Sequence, residues 1–167
     1  MLQFKTYTTK NMSIVDQYAK RALPGQEKFA NDIRNWWNCR LVVDVRVEDG
    51  IKREDEYQPL DYIILKKDSN KVVGYLELKN RGIESTKYDS LMLDHSKMMK
   101  IRITHWFTHL PVFVGVRYLD KDLYYEYDSF DEPNIFYGGR TTQTRNEYDI
   151  KQVEYISLDK FKEFNKK

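Results

Sequence analysis

The sequence predicts an α/β domain in which helices flank a central mixed β-sheet. Apolar residues recur at helical spacing in two segments, and short β-branched or alternating runs lie between and after them. The resulting order α, β, β, β, α, β, β is typical of a partly antiparallel sheet covered by helices. The 167 residues fit one domain, residues 1–167, that is large enough to bury a core.

The first predicted elements are a helix and a strand. Pro24 and Gly25 indicate a break, after which the apolar spacing predicts an amphipathic helix over residues 26–37. The β-branched run over residues 41–47 predicts the first strand. A polar, acidic loop over residues 48–58 then leads to the next strand.

A hairpin and a second helix follow. Residues 61–67 and 71–79 read as two apolar strands joined by a short polar turn. A polar loop over residues 80–89 comes next. Asp94 is a favourable N-cap residue, and the apolar spacing after it predicts a helix that continues to about residue 107.

The last third of the sequence predicts further strands. Residues 112–118 and 123–127 read as a second hairpin, and residues 138–145 read as a polar loop. Residues 153–156 predict a final strand. Ser157 could then cap a short C-terminal helix.

Composition excludes several classes of protein. Aromatic residues make up 14% of the chain, which argues against disorder despite 32% charged residues. No apolar run approaches a membrane span, and the N-terminus lacks a signal-peptide core, so we expect no membrane partner. The single Cys39 excludes an internal disulfide and a multi-cysteine zinc site. It also fits a reducing, cytoplasmic compartment.

Acidic side chains on the first hairpin need a physical reason, because burying a charge is costly unless it is paired or bound to metal. A three-residue turn at residues 68–70 would place Asp61 opposite Glu77, and Lys79 would share their face, since side chains alternate along a strand. A two-residue turn would instead pair Asp61 with Leu78. Asp and Asn tolerate the geometry of the longer turn. The sequence therefore permits the cluster without requiring it.

Two facing carboxylates with a lysine beside them suit one kind of chemistry. Mg²⁺ prefers oxygen ligands and keeps several waters. Such an ion can polarise a phosphate oxygen and lower the pKa of a bound water. Lys79 could orient that water or stabilise charge that develops on the phosphate. The cluster therefore predicts hydrolysis of phosphodiester bonds.

The pattern Pro59-x-Asp61, followed after a hairpin by Glu77-Leu78-Lys79, resembles the PD-(D/E)XK nuclease superfamily. The resemblance implies a restriction-endonuclease-like core and the activity of a Mg²⁺- or Mn²⁺-dependent nuclease. It implies that Asp61 and Glu77 bind the metal and that Leu78 offers its backbone carbonyl. It also implies that Lys79 assists catalysis. One departure is Pro-x-Asp in place of Pro-Asp.

The resemblance covers about residues 26–118 and adds one further candidate. Many members of the superfamily contribute a glutamate from the first helix, and Glu27 is the best match. The alternative is a glutamate that interacts only with the helix dipole. In its small size and its lack of a separate specificity domain, the protein resembles bacteriophage nucleases. This resemblance would place it in the host cytoplasm.

Basic residues near the motif are candidates for contacts with nucleic acid. Arg81, Lys87 and Lys97 follow the motif closely, within a segment of seven Lys and Arg against three Asp and Glu. Arg140 and Arg145 lie in a loop of Gly and Thr that could grip phosphate. Solvated lysines and an ordinary polar loop are the alternatives.

Two functions therefore remain open. The first is a metal-dependent DNA nuclease, and the second is a catalytically silent nuclease fold that binds nucleic acid or supports assembly. In either case the expected partner is nucleic acid, with DNA favoured over RNA. We also expect a homodimer, because two sites would then meet two strands. A structural alternative for the motif is that Asp61 ends a strand and Glu77 pairs with Lys79 on a solvated face.

Overall fold

A computed structural model describes residues 14–43, 60–139 and 150–164 of the chain. The described helices are α1 (Ile14–Trp36) and α2 (His95–Thr108), and single 3₁₀ turns lie at Ser85–Lys87 and Leu158–Lys160. The strands are β1 (Cys39–Val43), β2 (Tyr62–Lys66), β3 (Val72–Asn80), β4 (Ser90–Asp94), β5 (Val112–Arg117), β6 (Asp122–Glu126), β7 (Ile135–Gly139), β8 (Ile150–Ser157) and β9 (Lys162–Glu163). No helix in these ranges has the length and apolar character needed to cross a membrane.

The strands form two sheets. The larger sheet has the order β1-β2-β3-β5-β6-β9, and β3 pairs with β5 in parallel while the other pairs are antiparallel. The smaller sheet has the antiparallel order β4-β8-β7. The prediction of an α/β fold with a central mixed sheet is confirmed. Because α2 connects the two parallel strands, β3 and β5 are neighbours in space although a helix separates them in sequence.

Strand β3 lies between two hydrophobic cores because its side chains alternate between the faces of the sheet. Leu76 and Leu78 point into a core that contains Phe29 and Ile33 of α1. Tyr75, on the other face, packs against a second core. That core is built from α2, β4 and β5, with the buried residues Leu91, Leu93, Met98, Ile101, Val112, Val114 and Val116. Each large apolar side chain that is fully buried contributes about 1.5–3 kcal/mol.

The hairpin of β2 and β3 has the predicted register at one end and a different turn at the other. The backbone N–H of Lys66 donates to Lys71 O at 3.0 Å, so four residues form the loop rather than the predicted three. A β-bulge then shifts the pairing between Ile64 and Leu65, and the strands continue with Tyr62 opposite Leu76. Because the bulge adds one residue to β3, it compensates for the different turn.

The break predicted at Pro24 and Gly25 is wrong, because α1 continues through both residues. Proline lacks a donor and usually kinks a helix, yet it does not always end one. Gly25 has a separate role. A Cβ atom at this position would lie 3.3 Å from the side-chain nitrogen of Asn80, so glycine allows α1 to approach the end of β3 closely.

The helix predicted after Ser157 is also wrong. The chain makes one 3₁₀ turn and then the short strand β9. Tertiary packing explains the difference, because Phe164 lies in contact with a group of aromatic rings. These rings belong to Phe29, Trp36, Trp37 and Tyr124, at centroid distances of 5.0–5.8 Å. A continued helix would carry Phe164 away from these partners.

Besides β9, two further strands were not predicted. Strand β4 directly precedes α2, and Leu91 and Leu93 of β4 are buried, so its alternating pattern was present in the sequence but short. Strand β7 includes Gly138, which the sequence assigns to a polar loop. A Cβ atom at Gly138 would lie 2.9 Å from Val153 of β8, so this glycine allows close strand packing rather than a turn.

Replacing Gly74 with alanine is expected to destabilise the fold. The added Cβ atom would lie 2.9 Å from Pro111 O, a backbone atom that already accepts a hydrogen bond from the Tyr75 N–H. Overpacking of this kind costs about 1–3 kcal/mol. Each kcal/mol lowers the thermal midpoint by roughly 2–4 °C for a chain of this size. The control is Gly82→Ala, whose added Cβ atom meets nothing within 4 Å. Equal midpoints for the two variants would contradict this account of Gly74.

Candidate active site

Two neighbouring strands bring Asp61, Glu77 and Lys79 together. Tyr62 pairs with Leu76, so one step further the same register places Asp61 opposite Glu77. The carboxylate of Asp61 accepts a hydrogen bond from the backbone N–H of Leu78 at 2.7 Å. Lys79 Nζ lies 2.7 Å from Glu77 Oε1. The three predicted catalytic residues therefore form one cluster.

The side chain of Glu77 is completely buried, with 0% of its surface exposed. Two ammonium groups neutralise it, because Lys79 donates to Oε1 and Lys97 donates to Oε2 at 3.0 Å. Burying a carboxylate is costly unless it is paired and hydrogen-bonded. A Glu77 on a solvated face is therefore ruled out. Lys97, predicted as a nucleic-acid contact, is part of this cluster through α2.

Asp61 is only partly buried, and its surroundings oppose its charge. Burial raises the pKa of the Asp61 carboxyl, and the negative charge of Glu77 raises it further. The hydrogen bond from the Leu78 N–H and the charges of Lys97 and Lys79 act in the opposite direction, but they do not cancel the shift. Burial and the neighbouring negative charge thus both disfavour the ionised form of Asp61.

A third lysine, Lys100, belongs to the same region and was not predicted. Burial and the nearby charge of Lys97 lower the pKa of the Lys100 ammonium group, and Lys79 adds to this effect. The charges of Glu77 and Asp94 oppose it. The sequence carried a signal, because residues three apart on a helix lie side by side. The cluster thus combines two carboxylates with three lysines.

Helix α2 is held in place by a buried carboxylate of the smaller sheet. Glu154 is 3% exposed and accepts hydrogen bonds from Arg102 Nη1 at 2.7 Å and Arg102 Nη2 at 2.5 Å. It also lies 2.6 Å from His95 Nδ1. Burial opposes the charge of Glu154, yet these bonds and charges outweigh it and lower its pKa. Since both partners are on α2, this ion cluster fixes the helix that carries Lys97. Sequence reasoning gave Glu154 no role.

Helix α2 begins where it was predicted to begin, but Asp94 stabilises this end of the helix in a different way. Asp94 is the N-cap residue with extended backbone, and its side chain makes no capping hydrogen bond. Its carboxylate instead accepts from Lys151 Nζ of β8 at 2.6 Å. The ion pair is a second link between α2 and the smaller sheet.

Glu27 is placed beside the cluster rather than within it. It accepts hydrogen bonds from Arg34 at 2.8 Å and from the Tyr62 hydroxyl at 3.3 Å. Burial and Glu27, with a smaller effect of Asp61, raise the pKa of Tyr62 to about 12. Among the described residues, no group of three or more His, Cys, Asp and Glu is arranged to hold a metal ion. A direct metal contact from Glu27 therefore stays a prediction.

The remaining predicted contacts are spread over a wider surface. The Arg81 guanidinium donates to Met92 O at 2.6 Å, next to a cavity. Lys87 is exposed, and its ammonium group lies 5.6 Å from the centre of the Tyr88 ring. Arg140 and Arg145 lie outside the described residues.

The donor set of the cluster fits a hard divalent cation. Mg²⁺ is commonly bound through one or two carboxylates and completes its shell with water and substrate phosphate. Asp61 and Glu77 supply two carboxylates, and Leu78 follows Glu77 directly with a backbone carbonyl. A bound cation would offset the burial and the repulsion by Glu77 that together raise the pKa of Asp61.

Replacing Asp61 with asparagine is expected to raise thermal stability at pH 7. Because the folded-state pKa of Asp61 lies above the ordinary value of 3.8, the folded protein keeps a proton that the unfolded chain has already lost. The free energy of unfolding of wild type therefore falls as the pH rises from the ordinary pKa of 3.8 to the raised folded-state pKa. It stays at this lower value at higher pH. An amide avoids the charge and can still accept from the Leu78 N–H.

The measurement is the thermal midpoint of both proteins from pH 7 down to pH 4. We expect the advantage of Asp61→Asn to be largest at pH 7 and to shrink as the pH falls. Asp68→Asn, in the exposed turn of the same hairpin, is the matched control and should follow wild type. A less stable Asp61→Asn at pH 7 would contradict the electrostatic account of this site.

Comparison with known proteins does not assign the chain to a family. No family model matches the chain, and no curated protein matches its sequence. The resemblance to the PD-(D/E)XK nucleases rests on Asp61, Glu77 and Lys79 and on their place in the hairpin.

Proposed function

We propose that the protein is a metal-dependent nuclease that hydrolyses phosphodiester bonds in DNA, with a restriction-endonuclease-like core. One observation carries the proposal. A fully buried carboxylate, Glu77, lies between two lysines and next to a second carboxylate whose pKa is raised. Perturbed ionisable groups that meet in this way are typical of functional sites. The spacing Asp61…Glu77-x-Lys79 adds the resemblance to the PD-(D/E)XK nucleases.

The proposed metal ligands are Asp61, Glu77 and the backbone carbonyl of Leu78. When bound there, Mg²⁺ or Mn²⁺ supplies Lewis-acid polarisation of a phosphate oxygen and a water of lowered pKa. Glu27 is a further candidate ligand, and its present hydrogen-bond partners are Arg34 and the Tyr62 hydroxyl.

The lysines of the cluster have two different proposed roles. Lys79 is next to Glu77 and is 31% exposed in its side chain, so it can orient the attacking water and stabilise negative charge on the phosphate. Lys97 and Lys100 add positive charge from α2 where the scissile phosphate would approach. Attack by the water forms one P–O bond and breaks another, and the water proton that is lost is balanced by protonation of the leaving oxygen.

The surface around the cluster suits a polyanion. Residues 78–118 carry seven Lys and Arg against three Asp and Glu, whereas the net charge of the whole chain is only +2. Of these cations, Lys79, Lys97 and Lys100 lie at the cluster, so a phosphate that approaches it would meet positive charge. Contacts of this type position the phosphate backbone without reading sequence. A homodimer would place two such sites against two strands.

A second candidate function is a catalytically silent module that binds nucleic acid or supports assembly. The observation that favours it is the pairing of Glu77, because Lys79 and Lys97 already occupy both carboxylate oxygens. In that case the lysines serve to stabilise the fold and to attract phosphate. The module would bind DNA with strong salt dependence and leave it intact.

The cleavage assay separates the two functions. Plasmid and branched DNA are incubated with Mg²⁺ and with wild type, Lys79→Ala, Asp61→Ala or the control Lys71→Ala. Lys71 is exposed at the far end of the same hairpin. We expect wild type and the control to cut, and the two site variants to lose roughly 10²–10³-fold in rate, as found when one transition-state donor is removed.

The outcomes of this assay are distinct. Equal cutting by all four proteins would exclude Asp61 and Lys79 from the reaction. DNA binding without cutting by wild type, together with weaker binding of Lys79→Ala, would favour the silent module. Circular dichroism of each variant ensures that a lost activity does not reflect a lost fold.

A further inference from the structure

A cavity of about 360 Å³ opens beside the end of β3. This volume lies within the range of sites for small ligands. The cavity has an aromatic and apolar wall with one guanidinium group. The residues that matter for its chemistry are Arg81, Tyr88, Leu91, Met92, Tyr118 and Tyr155.

The lining has a buried base and an accessible rim. Leu91 is 1% exposed and Tyr118 is 6% exposed, so they form the inner part. Tyr88 is 59% exposed and Tyr155 is 38% exposed, so their rings lie where a ligand would enter. The cavity thus offers tyrosine rings at two depths.

Hydrogen bonds hold the loop that forms one side of the cavity. Ser85 is buried, and both its N–H and its hydroxyl donate to the Asp120 carboxylate, at 2.7 Å and 2.6 Å. The N–H of Leu119 donates to Ile83 O at 3.1 Å, and the N–H of Leu158 donates to Asp89 O at 2.8 Å. Because these bonds fix the loop on both sides of Tyr88, a ligand would meet a preformed site.

The position of the cavity connects it to the candidate active site. Arg81 follows Lys79 by two residues, and its N–H donates to Arg117 O at 2.7 Å, which extends the pairing of β3 with β5 beyond the last residue of the strand. Since side chains two apart share a face, Arg81 lies on the side of Glu77 and Lys79. Two residues of strand span about 7 Å. A strand of nucleic acid at Lys79 would pass the mouth of the cavity.

We propose that this cavity binds one unstacked base of the nucleic-acid strand, next to the phosphate that the lysine cluster holds. The proposal rests on the proposed function and names a subsite of it. Unstacked bases are recognised by aromatic rings and by the planar guanidinium of arginine. Here the rings are those of Tyr88, Tyr118 and Tyr155, and the guanidinium is that of Arg81. Lys87, beside Tyr88, adds positive charge at the rim for the neighbouring phosphate.

A base suits the cavity better than other small ligands. Stacking on tyrosine needs a flat π-face, which every base has and which an aliphatic chain lacks. The lining residues contain no carboxylate, so the cavity does not favour a cationic ligand. A paired base is covered on both faces within the duplex and cannot enter. The site therefore predicts a preference for single-stranded or locally unpaired substrate.

The test measures DNA binding without cleavage, in EDTA and at fixed low salt. Fluorescence anisotropy gives the Kd of a labelled single-stranded 12-mer and of a series in which one nucleotide at a time lacks its base. For wild type we expect the Kd to rise at one position of the series by roughly 5- to 150-fold, the effect of losing one stacked base. In the double variant Tyr88→Ala/Tyr155→Ala this penalty should be clearly smaller than in wild type, because the base has lost two of its three aromatic partners.

The matched control is Tyr137→Ala on β7, whose ring is 77% exposed and does not line the cavity. It should keep the penalty of wild type. A flat series for wild type, or an unchanged penalty in the double variant, would overturn the proposal. Cleavage with Mg²⁺ is measured on the same preparations. If wild type cuts DNA but its Kd does not change along the abasic series, only the proposal of a base subsite is wrong. If wild type neither binds nor cuts DNA, the proposed nuclease function is wrong as well.

Discussion

The burial of one carboxylate, Glu77, constrains the rest of the structure. A charge without access to water is stable only if partners reach it from several directions. Lys79 reaches it from the same strand and Lys97 from α2, while Asp61 adds a second negative charge across the hairpin. The bulge of the hairpin, the parallel neighbour β5 and the position of α2 all contribute to this arrangement. A displacement of α2 would leave the charge of Glu77 with Lys79 as its remaining ion-pair partner among the described residues.

The two faces of strand β3 have different roles, one in the hydrophobic core and one in the charged cluster. One face of β3 supplies Leu76 and Leu78 to the core beneath α1, and the other face supplies Glu77 and Lys79. Leu78 links the two roles, since its side chain is in the core and its N–H binds Asp61. The smaller sheet then secures α2 through Glu154. Structural ion pairs therefore surround the cluster without sharing its residues.

Much of this arrangement could be predicted from the sequence, because alternation along strands is a strong local signal. The predicted register, with Tyr62 opposite Leu76, is found even though the turn has four residues, since the bulge at β3 supplies the missing step. Long-range contacts were beyond reach. Nothing near Glu154 in the sequence indicates its ion pair with Arg102. The segment that ends at Phe164 does not form the predicted helix, because Phe164 packs on aromatic rings that are distant in sequence. Lys100 lay within reach, through its spacing from Lys97.

The most direct measurement is a crystal structure of the protein soaked in Mn²⁺, with anomalous diffraction recorded near the manganese edge. The central claim is that Asp61 and Glu77 share one cation. It predicts an anomalous peak with oxygen atoms of both carboxylates at about 2.0–2.3 Å, a range near that of Mg²⁺. It further predicts that Lys79 remains beside the ion. A crystal that takes up manganese elsewhere but shows none between these two residues would contradict the claim.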